Sequence, residues 1–255
     1  MTFLPPRILS AACFGLALLA SAPALAQDDP ATVAVGLPPV HGLVTRLLDG
    51  VATPELVIDR PGLHGAADLP ADKRALLDRA DMVIWTGAGL ETPIADATIK
   101  SPTLARRALT VGDTMYVLHR PRPGALVSEK PADRRYWMDP RLALTAVKRL
   151  APALVPLYPD NFERILENEE ALVGEIKAIE AEMRQALGAE DGTPLTAPDM
   201  DELYLAWRFK GAVVHCPEAM AIGAGWTTEP GPDMYVRMMR RVLAALLECR
   251  ARAGS

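Results

Sequence analysis

The sequence predicts an α/β fold built around a parallel sheet. Two observations carry that expectation: from residue 32 onward short apolar runs alternate with helical segments, and each intervening segment is long enough for a crossover helix. Strands joined in this way close as right-handed βαβ units. Composition agrees, since 50% of the 255 residues are hydrophobic and 23% charged, a globular balance that excludes disorder over most of the chain.

The elements follow in order. Thr32–Leu37 reads as a first strand and His41–Leu48 as a helix; Glu55–Ile58 is a second strand. Pro70–Ala80 is helical, Asp81–Thr86 is a third strand ending at Gly87, a helix starts near Leu90, and Ala108–Val111 is a further strand. In such sheets ligands bind outside the carboxyl ends of the strands, so the loop Asp59–Leu69 is a place to look for function. Residues 119–134, rich in proline and arginine, read as an exposed connection. Next comes an amphipathic helix of about 28 residues, longer than the usual globular helix. Phe162, Ile165, Leu172, Ile176, Ile179, Met183 and Leu187 form its apolar stripe. Thr193–Ala197 and Gly211–His215 are strand candidates, and Asp233–Arg250 closes the chain as a helix with Asp233 at its N-cap.

The first 26 residues read as an export leader. Arg7 precedes an apolar run from Ile8 to Ala20, and Ala24-Leu25-Ala26 has the small-x-small pattern of a cleavage site. That run is well short of the roughly 20 residues that span a bilayer, so the mature chain is expected in the periplasm without stable membrane insertion. Cleavage would remove Arg7 from 27 basic residues and leave 26 against 32 acidic ones. This mildly acidic balance argues against nucleic-acid partners. Cleavage would also remove Cys13. Cys216 and Cys249 remain, either bridged or as two buried thiols.

Several enzyme signatures are missing: there is no G-x-S-x-G elbow, no G-x-x-x-x-G-K-[ST] phosphate loop, no H-E-x-x-H and no C-x-x-C. An exported α/β chain of this kind reads as a binder and not as an enzyme.

Longer motifs narrow the class. The opening Val35-Gly36-Leu37-Pro38-Pro39-Val40-His41-Gly42-Leu43-Val44 is followed by His64, with Pro70 six residues later. Then comes Ala80-Asp81-Met82-Val83-Ile84-Trp85-Thr86-Gly87-Ala88-Gly89-Leu90-Glu91, and later Trp137-Met138-Asp139-Pro140. These segments resemble the periplasmic zinc- and manganese-binding proteins of ABC importers. The resemblance implies two lobes with parallel-type sheets flanked by helices, joined by a long rigid linker helix at Pro159–Leu187. It divides the chain into a leader (1–26), a metal-binding-protein-like first lobe (27–140), a helical segment with the linker (141–188) and a shortened second lobe with the closing helix (189–255). It also implies a monomer that delivers a divalent cation, Zn2+ or Mn2+, to an ABC permease.

Carried over by position, the family's first metal ligand falls on His64 and the third on Asp199. The second falls on Arg135, whose guanidinium has no lone pair to donate and repels a divalent cation, or recruits an anion, if it faces the cleft. Pairing with Asp199 or Glu218 is the other expectation for it. For the last ligand, Glu218 lies in the right neighbourhood and His215 is the nearby alternative. The expected set is therefore His64, Asp199, His215 and Glu218. Of the other histidines, His41 reads as helix-start packing and His119 as surface. Two functional readings remain open: a cation-binding importer component with an atypical or weakened ligand set, or a divergent paralogue that no longer binds metal and acts as an accessory or regulatory periplasmic interaction protein.

Overall fold

The computed structural model describes residues 30–119, 132–188, 202–209 and 213–253. The expected leader, with its cleavage site, and Asp199 lie outside the described residues, as does the strand candidate Thr193–Ala197.

A four-stranded, all-parallel sheet forms the first half of the fold. β1 (Val33–Val35) and β3 (Met82–Trp85) are central, β2 (Glu55–Leu56) and β4 (Ala108–Thr110) are the edges, and the order is β2-β1-β3-β4. The register sets Ala34 against Glu55 and Val83, and Ile84 against Leu109. β1 is buried throughout and β3 from Val83 to Trp85, as expected of strands covered on both faces. The crossovers are α1 (Pro38–Leu47), α2 (Ala71–Arg79), α3 (Thr92–Lys100) and α4 (Pro102–Arg107). Proline opens α1 and α4, where its missing N–H is no loss.

Two short strands, β5 (Leu118–His119) and β6 (Ala132–Asp133), pair antiparallel. They correct the reading of 119–134 as simply exposed, since Asp133 is buried. α5 (Pro140–Leu154) starts from an Asp139 N-cap whose carboxylate accepts the Arg141 N–H at 2.9 Å.

The long helix is α6 (Phe162–Leu187), 26 residues ending in a left-handed Gly188 at φ +63°. At 1.5 Å per residue it spans about 39 Å. It packs on α5, α1 and the closing helix α9 (Met234–Ala253). Its stripe is buried as expected from Ile165 to Leu187, while Phe162 at the helix start stays exposed. Polar contacts fix its register: Asn168 Nδ2 donates to the Leu47 and Asp49 carbonyls at 3.0 and 2.9 Å, closing the end of α1. Arg46 pairs with Glu175 at 2.9 Å.

Beyond α6, the described residues form α7 (Leu203–Phe209), α8 (Pro217–Gly223) and α9. Val213–His215, the described part of the second strand candidate, pairs with no strand among the described residues.

Cys216 and Cys249 form a disulfide with Cα atoms 5.8 Å apart, tying the start of α8 to α9. Closing a loop of this sequence separation, 33 residues, removes unfolded-state entropy worth about 3–4 kcal/mol. Urea unfolding with and without a dithiol reductant is expected to show a stability loss of about that size. An unchanged midpoint would mean that the bridge contributes nothing.

Candidate functional site

A cavity of about 470 Å3 opens at the carboxyl edge of the sheet. Leu37 follows β1, His64 lies in the loop after β2, and Gly89 and Leu90 follow β3, so three strand ends supply one wall. The facing wall runs from β6 through Trp137 and Met138 and is completed by Met220, Gly223 and Ala224 of the α8 region with Trp226. Trp137 joins the walls: its indole N–H donates to the Gly223 carbonyl at 2.9 Å, and its own carbonyl accepts from the Tyr235 hydroxyl at 2.8 Å. Trp207 is half exposed and is not among the described residues that line the cavity.

His64 sits in a 3-10 turn, Leu63–Gly65, entered through Gly62 at φ +83°. A side chain there would be strained, so the glycine helps aim the imidazole. Its Nδ1 is buried and has no hydrogen-bond partner. Buried polar atoms are ordinarily satisfied, so an unmatched imidazole nitrogen on a residue that lines a cavity marks His64 as a candidate ligand residue.

Two arginines share the cavity. Arg135 grips Asp133 through Nε at 3.0 Å and Nη2 at 2.6 Å, and Asp133 also accepts the Arg135 backbone N–H at 3.0 Å. Arg134 donates through Nη1 to Asp113 at 2.7 Å and to the Thr86 carbonyl at 3.2 Å, while its Nε is buried without a partner. Gly87 adopts φ +126°, and a Cβ there would collide with the Arg134 guanidinium. Tyr204 secures the β5–β6 pair, its hydroxyl accepting the Leu118 N–H at 3.1 Å and donating to the Asp133 carbonyl.

Behind Arg134 lies Glu91, fully buried. Its Oε2 accepts the Thr86 N–H at 2.6 Å, the Thr86 hydroxyl and the Gly87 N–H at 3.3 Å, whereas Oε1 has no partner. Burial pushes this carboxyl up to about 7, outweighing the three donors and the nearby Arg134 charge, which favour ionisation.

The structure thus brings His64 and the Arg135 position into one cavity, but not His215 or Glu218. His215 is half exposed and lies 3.3 Å from buried Glu202. Glu218 is exposed; its own backbone N–H and then Arg252, at 3.0 Å, hold its carboxyl below the usual range. Cys216, Glu218 and Cys249 cluster tightly, but the disulfide leaves no thiolate to coordinate a cation. His41 is structural, as expected. A carbonyl only accepts, so Nε2 carries the proton given to the Pro54 oxygen at 3.0 Å, and burial lowers the ring's pKa. His119 is exposed on β5.

Sequence reasoning passed over Asp133 and Glu91. Asp133 stood in a segment read as loop, although its spacing of two from Arg135 was visible. Glu91 ended a quoted motif but had no role, because burial is not written in the residue.

Comparison with known proteins then decides the family. Residues 33–210 match the family described as zinc-uptake complex component A, periplasmic (ZnuA). The chain belongs to this family. ZnuA-type proteins are transport components, so the expectation of a binder and not an enzyme holds, and no helix among the described residues is long and apolar enough to cross a membrane. A curated relative, the iron-binding protein YfeA of Yersinia pestis, is 25% identical over 193 residues, or 71% of this chain and 60% of its own length. The chain therefore spans about three fifths of that relative. Among solved structures, TroA, described for its metal-binding specificity, aligns at a TM-score of 0.58 and 19% identity over 71% of this chain and 63% of its own. FpvC of Pseudomonas aeruginosa, in complex with Mn2+, aligns at a TM-score of 0.64 and 15% identity, covering 87% of this chain and all of FpvC. At these identities the structural likenesses speak for the fold.

The raised carboxyl of Glu91 gives a pH test. Below about pH 4.5 the group is neutral in both folded and unfolded chains. Between 4.5 and 7 the unfolded chain gives up the proton while the folded one keeps it, so stability falls as pH rises, and the loss is complete above about 7. Glu91→Gln is expected to remove this slope, gaining about 3 kcal/mol on the native protein between pH 4.5 and 8. Denaturant unfolding at a series of pH values measures it; parallel curves for both proteins would contradict the assignment.

Proposed function

We propose that this chain is a periplasmic solute-binding protein of a zinc/manganese-type ABC importer, exported by a leader ending near Ala26. Membership of the zinc-uptake family supports the class, and an iron-binding protein, YfeA, and FpvC in complex with Mn2+ among the similar proteins favour a transition-metal ion. One observation carries the site: His64, whose Nδ1 has no hydrogen-bond partner, lines the cavity at the strand ends, where α/β sheets bind ligands.

In this reading the cation is cargo, held by direct coordination and surrendered to a permease. His64 supplies the nitrogen ligand. Asp133 is the carboxylate that lines the same cavity, available once its oxygens leave Arg135, and Asp199 keeps the place that the family resemblance gives it. His215 and Glu218 drop out, since one faces Glu202 and the other Arg252. The domain division at 140 and 188 and a reduced second lobe belong to the same proposal.

A second reading has its own observation. The Arg135–Asp133 pair puts a positive charge against the carboxylate where a cation would sit, which favours a paralogue that has given up metal and serves as a periplasmic interaction partner.

Titration calorimetry of chelator-treated protein with Zn2+ and Mn2+ separates them. A cation-binding protein shows saturable uptake that falls at least tenfold in His64→Ala and, for Zn2+, rises at least tenfold in Arg135→His. Uptake seen only in Arg135→His would establish the second reading.

A further inference from the structure

Four of the described side chains that line the cavity carry an atom able to give a lone pair to a metal: His64, Asp133, Met138 and Met220. Asp133 is spent on Arg135, which it holds bidentately. The three that remain are uncharged when the imidazole is neutral, and two of them are thioethers. Mn2+ favours carboxylate, carbonyl and water oxygens, and zinc takes thiolate, imidazole and carboxylate. Thioether sulfur selects a softer ion, Cu(I).

The fold places these donors. Met138 is fully buried, and its Sδ fills the space that a side chain at Gly223 would need, since a Cβ there would collide with it. The Trp137 indole, bonded to the Gly223 carbonyl at 2.9 Å, holds the same corner together. Met220 stands three residues before Gly223 on α8, so both look out from one side of that helix. It is half-buried, and the three rotatable bonds of a methionine give its sulfur reach across the cavity. On the opposite wall His64 is also half-buried; with Nδ1 enclosed, Nε2 is the nitrogen that the ring can offer. Trp137, Trp226, Leu37 and Leu90 make the surroundings apolar.

Charge favours the same ion. A monovalent cation meets half the repulsion from Arg134 and Arg135 that a divalent one does. Bound through neutral donors, it needs neither Asp113 nor Asp133 to leave its arginine.

We propose that Cu(I) is a cargo of this cavity, held by His64 Nε2 and the Sδ atoms of Met138 and Met220 with both arginine–aspartate pairs intact. The inference rests on the cation-carrier reading above and names a soft monovalent ion as its cargo. The ion arrives and leaves as Cu(I), so no electron changes hands and only coordination bonds form and break.

Cu(I) is titrated anaerobically into the chelator-treated protein as its bicinchoninate complex, with ascorbate, which spares the Cys216–Cys249 disulfide; Zn2+ and Mn2+ are titrated in parallel. The expected result is a single equivalent of Cu(I) withdrawn from the dye, with sulfur in the copper shell by X-ray absorption. Met138→Leu and Met220→Leu, which nearly conserve volume, are expected to weaken Cu(I) at least tenfold and to change any Zn2+ binding less than twofold. A purely structural role would move both ions together. If Met138→Leu does not fold, Met220→Leu, at a partly exposed side chain, carries the test. Cu(I) affinity unchanged in Met220→Leu, or a copper shell without sulfur, would overturn the proposal. Zn2+ or Mn2+ binding with no Cu(I) uptake would also overturn it and leave the cation-carrier reading standing. Silence toward all three ions would overturn both.

Discussion

Asp139 has no exposed surface and serves two elements at once. Its carboxylate caps the first turn of α5 and receives Arg208 of α7 bidentately, at 2.7 and 2.8 Å. Two residues earlier Trp137 reaches Gly223 at the end of α8 and Tyr235 in α9. The three-residue stretch from Trp137 to Asp139 therefore fixes four helices. It has to, because the ladder of the parallel sheet ends at β4 and the described helices beyond α6 do not flank it as crossovers; α7 meets the small β5–β6 pair through Tyr204. A buried ion pair of this kind adds little over an apolar pair, but losing one partner leaves a stranded charge at a cost of about 3–5 kcal/mol. The far wall of the cavity hangs from these bonds. Its position relative to His64 is thus set by the hydrogen bonds of Trp137 as well as by the sheet.

This explains which parts of the molecule were readable in advance. The first half announces itself through local rules: apolar runs for β1 and β3, proline at the helix starts, and an uninterrupted stripe along α6. A cavity opens at the strand ends, where the topology puts one, and His64, singled out by the family motif together with its place in the loop after β2, lines it. The second half obeys long-range contacts instead. Gly211–His215 has the apolar composition of a strand, but its described residues join neither sheet, and buried Glu202 lies against His215 and accepts the Cys216 N–H at 2.8 Å. Glu218 carries the right chemistry for a ligand and the wrong address, since α8 turns it toward Arg252. Asp133 was hidden for the converse reason: a polar residue in a polar segment gives no sign that a Tyr204 hydroxyl will bury its strand.

What remains is the conflict between a scaffold shared with cation carriers and a cavity lined by arginines. Two unit charges about 4 Å apart interact by about 4 kcal/mol at an effective dielectric near 20, so a divalent ion that close to a guanidinium is disfavoured by about twice as much unless carboxylates offset the charge. Such carboxylates are in place: Asp133 holds Arg135 bidentately and Asp113 holds Arg134. A cation that takes Asp133 as a ligand must therefore break the pair that orders this wall, and the strength of that pair counts directly against metal affinity. The arginine at the family's ligand position competes with the metal for the same carboxylate.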